Sequence, residues 1–201
     1  MQSIDSKVLN RIRGTGRGSV FTPGTFLDLG SRDAIDKVLS RLAQKGIIRR
    51  LGRGLYDYPK THPVLGTLQP APDVVAGVLS GNQGTRIQPT GAYAANLLGL
   101  STQVPAKIVY LTDGLSRLVR VGNMEIRLQH TTPRNMATAG RISGLVIQAL
   151  RHLGPKYVDD TIIRILKRKL SADDKKQLLK DIAFAPAWIG AYFRIIAQEP
   201  E

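Results

Sequence analysis

The cations near the start of the chain have a spacing suited to phosphate. Arg17 comes first, then Arg32, Lys37 and Arg41, then Arg49, Arg50 and Arg53 around Gly52-Arg53-Gly54. Guanidinium and ammonium groups bind phosphate oxygens, and arginine also pairs with guanine edges through two parallel hydrogen bonds. The acids show no comparable convergence. Asp159-Asp160 and Asp173-Asp174 are adjacent pairs, which on a helix point about 100° apart and rarely share a metal or a proton, so they read as helix-start acids. His62, His130 and His152 lack ligand spacing, and the chain has no cysteine, so thiolate metal sites, disulfides and cysteine nucleophiles are all excluded. We therefore expect no metal, no cofactor and no catalysis by this chain. The alternative is metal-dependent nucleic-acid cleavage by Asp113 with Glu125 and Arg127, with Lys107 supplying a cation, since phosphodiester cleavage needs converging carboxylates. Asp113 in Thr112-Asp113-Gly114 reads more simply as a turn residue.

The chain has 201 residues and a net charge of +14, a surface that attracts polyanions. Residues 1–60 carry 12 Lys and Arg against 5 Asp, a net +7, which leaves +7 for the longer remainder. Charge density thus singles out the first segment for double-stranded DNA. In the remainder, Lys167-Arg168-Lys169 with Lys175, Lys176 and Lys180 reads as a solvated helix face, or else as a second surface for RNA or an acidic protein. No apolar run approaches the ~18 residues of a membrane span, and Met1-Gln2-Ser3-Ile4-Asp5-Ser6-Lys7 lacks a signal peptide's apolar stretch. Cytoplasmic location without membrane contact is the expectation.

These cations need a scaffold, and the local pattern supplies one. Ile35, Val38, Leu39 and Leu42 form one apolar stripe at helical spacing. Ser31 is a plausible N-cap and Gly46 a plausible stop, which predicts a helix over residues 31–44. Residues 47–58 then read as a hairpin with Arg53 at its tip. Upstream, Ile4, Val8, Leu9 and Ile12 predict a helix over residues 3–13. Residues 19–21 suit a short strand, and residues 22–27 suit a short helix with Thr22 as cap and Pro23 in its first turn. Gly14-Thr15-Gly16-Arg17-Gly18 is no nucleotide loop, because no strand precedes it and no Lys-Ser or Lys-Thr follows. Arg17 there suits a phosphate contact. The order is that of a winged helix-turn-helix, and it places a DNA-binding domain at residues 1–59.

The acids Asp33 and Asp36 on the recognition helix repel phosphate, so they either accept from a cytosine amino group or orient neighbouring arginines. Prolines make residues 59–72 an extended connection. A second domain, residues 60–201, should begin with a short helix over 73–79, a loop over 80–84 and a helix over 90–98. Strands follow over 107–111, 117–121 and 124–130, the last two as a hairpin. Helices over 142–153, 158–170, 171–183 and 186–197 complete it, and the stripe of Trp188, Ile189, Tyr192, Phe193 and Ile196 reads as core. The fold class is α+β.

The winged helix with Arg49-Arg50-Leu51-Gly52-Arg53-Gly54-Leu55-Tyr56, followed by Gly99-Leu100-Ser101-Thr102-Gln103-Val104-Pro105-Ala106-Lys107-Ile108-Val109-Tyr110-Leu111-Thr112, resembles the AbiEi-type antitoxins of abortive-infection, type IV toxin–antitoxin systems. The likeness spans roughly residues 3 to 195. It implies a transcriptional autorepressor that binds its own operator DNA. It also implies a second domain that counteracts a cognate nucleotidyltransferase toxin, with or without stable contact. The winged helix carries over through Arg32, Lys37, Arg41, Arg49, Arg50 and Arg53.

Overall fold

The computed structural model describes residues 3–81 and 84–198 and is an α+β protein of two compact units. The first unit comprises Met1–Leu79 with Val119–Glu125, and the second Ser80–Leu118 with Ile126–Glu201. By packing, then, the first unit takes in residues 60–79 and a later hairpin turn besides residues 1–59.

The first unit opens with α1 (Ile4–Thr15), capped by the Ser3 hydroxyl, which accepts from the Ser6 N–H. Next come β1 (Val20–Phe21), a 3-10 turn at Pro23–Phe26 and α2 (Arg32–Gln44). The hydroxyl of Ser31 accepts from the Ala34 N–H and starts α2 where the sequence predicts. β2 (Arg49–Gly52) and β3 (Leu55–Asp57) form the wing, and the three strands pair antiparallel in the order β1-β3-β2. Gly54, at φ +67°, makes the tight turn between β2 and β3 that a residue with a Cβ rarely adopts. The stripe Ile35, Val38, Leu39 and Leu42 is buried against Val8 and Ile12 of α1 and Phe21, Phe26 and Tyr56. Burying such side chains, at about 1.5–3 kcal/mol each, is what holds helix and sheet together.

Where an extended connection was expected, the chain forms a second hairpin, β4 (Thr61–His62) with β5 (Gly66–Thr67), before α3 (Pro72–Ser80). Its strands are two residues long with no alternation of apolar and polar types, so no periodic signal marks them.

The strands β6 (Ile87–Thr90), β7 (Lys107–Thr112), β8 (Arg117–Val121) and β9 (Met124–His130) pair in the order β6-β7-β9-β8; Val119–Glu125, at the end of the β8–β9 hairpin, belongs to the first unit and the rest to the second. Between β6 and β7 lies α4 (Gly91–Leu97). β6 was not anticipated because it contains Pro89. A proline lacks the ladder N–H, and it sits here in an edge strand, where that group is not needed. The loop expected over 80–84 falls partly outside the described residues.

Helices α5 (Ile142–Leu153), α6 (Asp160–Lys169), α7 (Ala172–Lys180) and α8 (Ala187–Ala197) close the unit. Asp159 caps α6 by accepting from the Ile162 N–H at 2.9 Å, so this acid and the first-turn acids Asp173 and Asp174 of α7 are helix-start residues as read. Ile189, Phe193 and Ile196 are fully buried, with Trp188 and Tyr192 packed against the same core. The helix expected to run to Ala183 stops at Lys180. Asp181 turns inward instead, and its buried carboxylate accepts from Arg141 at 2.8 Å, Gln177 at 2.9 Å and the Ser143 hydroxyl.

Candidate nucleic-acid interface

The outward face of α2 is built by the same 3.6-residue period that buries its stripe. Asp33, Lys37, Ser40 and Gln44 fall at i, i+4, i+7 and i+11 and are all exposed. Among the described residues, Lys37, Ser40 and Gln44 have no hydrogen-bond or ion-pair partner of their own, so their polar ends face solvent. Lysine can donate to guanine O6 and N7, glutamine can pair with adenine N6 and N7, and serine can serve either base. Ser40 and Gln44 went unassigned in the sequence reading. Their place opposite the buried stripe was the available signal.

The flanking arginines of α2 are engaged within the fold. Arg32 donates to Asp36 at 2.9 Å, one turn along the helix. Arg41 is held by Asp5 of α1 through contacts of 2.7–3.2 Å. The acids that complicated a phosphate contact thus have different roles: Asp36 orients Arg32, and Asp33 stands in the first turn, where the helix dipole favours a negative charge.

Arg49 is the largest departure from expectation. Its guanidinium turns inward, donating to both carboxylate oxygens of Asp57 at 3.1 and 2.6 Å and to the Leu68 carbonyl at 3.0 Å. Asp57 is 1% exposed, and an anion so enclosed requires this paired, hydrogen-bonded cation. Arg49 therefore ties β2, β3 and the chain just after β5 together, with its Nε and Nη2 committed to these partners. Arg17 has a related place. It lies over the Tyr58 ring at 4.8 Å and donates to the Pro59 carbonyl at 3.0 Å, yet remains exposed.

The wing tip does present cations. Arg53 and Arg50 are exposed, and neither enters an ion pair among the described residues; Arg50 makes only a long contact, 3.4 Å, to the Gly52 carbonyl. Close behind, Gly52 is packed against Val119 so tightly that a Cβ would come within 3.2 Å of its methyl carbon. The wing is thus backed by Val119 of β8.

In the second unit Asp113 accepts from the Arg86 backbone N–H and from its guanidinium, each at 2.8 Å. The Arg86 guanidinium, followed by that backbone N–H, holds the Asp113 carboxyl below the usual carboxylate range. Glu125 lies 3.5 Å from Arg120 in the first unit, and Lys107 and Arg127 are exposed on β7 and β9. Among the described residues no three of His, Asp and Glu group so as to hold a metal ion. The basic run of α6 and α7 is divided: Lys169 donates to the Leu97 carbonyl at 2.7 Å and so caps α4, Lys176 lies 3.5 Å from Asp173, and Arg168 and Lys180 are exposed. No helix among the described residues is long and apolar enough to cross a membrane.

A family model described as a family of unknown function, DUF6088, matches residues 7–178. The chain belongs to that family. The match takes in α2, both hairpins and the strands and helices through most of α7, so the features described above are those of a DUF6088 protein. No curated protein matches the chain in sequence. Among solved structures, the crystal structure of the RV2827C protein from Mycobacterium tuberculosis is similar, with a TM-score of 0.50 and 14% identity over 100% of this chain and 79% of that one. At that identity the likeness concerns the fold alone.

Proposed function

We propose that this DUF6088 chain is a DNA-binding transcriptional regulator that represses its own promoter and acts as the antitoxin of a type IV, abortive-infection pair. The observation that carries the DNA half is the unpartnered outward row of Lys37, Ser40 and Gln44 on α2, beside a wing tip bearing Arg50 and Arg53. The helix enters the major groove and reads bases through that row, while the wing tip neutralises phosphate. The antitoxin half rests on the resemblance to AbiEi-type proteins in the winged helix and residues 99–112. In this reading the second unit counteracts a nucleotidyltransferase toxin encoded nearby, and the chain does no chemistry of its own.

The test uses a duplex taken from immediately upstream of the chain's own coding sequence. Gln44→Ala and Lys37→Ala should each lose about 1–3 kcal/mol of discrimination for that duplex, whereas Arg53→Ala should weaken all duplexes alike and flatten the salt slope by about one unit. Equal binding by wild type and a Lys37→Ala, Gln44→Ala variant would remove α2 as the reader. Co-expression with a neighbouring nucleotidyltransferase tests the second half: rescue of growth by the full chain supports it, and no rescue overturns it.

A further inference from the structure

The β4–β5 hairpin is the part of the first unit that neither core nor wing explains. Every residue from Thr61 to Thr67 is exposed, and its turn carries two aliphatic side chains, Val64 at 84% and Leu65 at 71% exposure. Single exposed aliphatics are ordinary. Two neighbours at the turn of a hairpin with no buried face are not accounted for by folding, because their burial contributes nothing to it.

The hairpin is nevertheless held in one shape by polar ties. The His62 Nδ1 accepts from the backbone N–H groups of Val64 and Leu65 at 3.2 and 3.3 Å, Gly66 turns the chain at φ +68°, and Pro63 fixes its own φ. At the base, the Leu68 N–H donates to the Lys60 carbonyl at 2.8 Å, and Arg49 grips the Leu68 carbonyl while paired to Asp57 of the wing. Arg17 holds the Pro59 carbonyl on the entering strand. Two arginines expected on phosphate thus fasten this hairpin to the winged-helix sheet, and Lys60 beside it is exposed without an ion pair among the described residues.

An ordered hairpin with an apolar turn and the exposed Lys60 and Arg17 at its base, joined to a basic DNA-binding unit, has the chemistry of a minor-groove wedge: these two cations meet the phosphates lining the groove, and aliphatic groups unstack a base step. We infer that the β4–β5 hairpin is a second DNA-contacting element, with Val64 and Leu65 entering the minor groove beside the major-groove site of α2 and bending the duplex. This rests on the reading of the first unit as a DNA binder. The occupant is DNA rather than an apolar protein surface because residues 1–60, ending at the hairpin's base, carry a net +7 from 12 Lys and Arg against 5 Asp.

The experiment uses the full chain and the upstream duplex with a fluorophore at each end, read by energy transfer for bending and by anisotropy for affinity. Wild type should shorten the end-to-end distance. Val64→Ser with Leu65→Ser should abolish the bend and weaken binding roughly tenfold while leaving the salt slope unchanged, because no phosphate contact is lost. Leu65→Met should keep both, since methionine can also wedge. Unchanged bend and affinity in the double serine variant would overturn the wedge and leave α2 as a DNA reader. Failure of wild type to bind any duplex would overturn both. Loss of binding accompanied by a flattened salt slope would also overturn the wedge, because it would mean that the variant disturbs cation placement.

Discussion

The two hairpins of the first unit solve the same problem by opposite means. In the wing, Leu55, Tyr56 and Asp57 of β3 are all buried, and the cation Arg53 stands at the tip. In the β4–β5 hairpin the whole of residues 61–67 is exposed, and the tip is apolar. The first is held by burial and the second by hydrogen bonds accepted by His62 and donated by Arg49 and Arg17. Hairpins with so little buried surface are marginal in water, which is why the polar ties matter. A hairpin anchored through its core has its tip left over for charge, whereas one anchored through polar groups at its base can present apolar side chains.

Arg49 belongs to both hairpins, so its removal has the largest expected effect. Arg49→Ala leaves the Asp57 carboxylate, 1% exposed, without its cation, and breaking a buried pair in this way costs about 3–5 kcal/mol. Urea unfolding should show that loss, and Arg49→Ala with Asp57→Ala should recover part of it, because no lone charge is then buried. If Arg49→Ala were as stable as wild type yet bound DNA poorly, Arg49 would be a phosphate contact after all and the contrast between the hairpins would collapse.

How far the sequence disclosed this arrangement depended on what each feature needed from distant residues. Helix α2 and the wing were legible because Ile35, Val38, Leu39 and Leu42 repeat at the helical period and glycines bracket Arg53. The Arg32–Asp36 pair was within reach for the same reason, since residues one turn apart meet on a helix. The direction of Arg49 was not legible. It depends on which residue of β3 lies opposite, and the register shifts between Arg50 and Gly52 before the strands meet at Asp57. The link from Arg41 to Asp5 spans 36 positions, and the β4–β5 hairpin has no period to read. The outward row is visible as the complement of the buried stripe, but Ser40 and Gln44 are uncharged and so add nothing to the charge density that singles out the arginines.

A matched truncation sharpens the contrast further. Leu55 is 2% exposed in the wing, and Leu55→Ala should cost about 2–5 kcal/mol, as for other core leucines. Leu65→Ala in the other hairpin should change stability by no more than about 0.5 kcal/mol. Thermal unfolding of the two variants side by side makes the comparison. A large loss from Leu65→Ala would show that its side chain has a buried partner, against the exposure on which the two kinds of anchoring are distinguished.

The smallest expected effect concerns a third turn, at Asp113, where an arginine–carboxylate pair is partly exposed rather than enclosed. Asp113 is 29% and Arg86 50% exposed, so solvent screens the pair and it should contribute under about 1 kcal/mol. Because Arg86 holds the folded-state pKa of Asp113 below its ordinary value, its contribution is fully present above the unfolded pKa, near ~3.9. It is lost as pH falls through the depressed folded value. Urea unfolding of wild type and Asp113→Asn should therefore differ slightly at neutral pH and converge in acid, once the wild-type carboxyl is protonated. A difference as large as that for Arg49→Ala would mean that enclosure of the carboxylate does not decide what such a pair contributes, and the buried Arg49–Asp57 link would lose its special standing in anchoring the two hairpins.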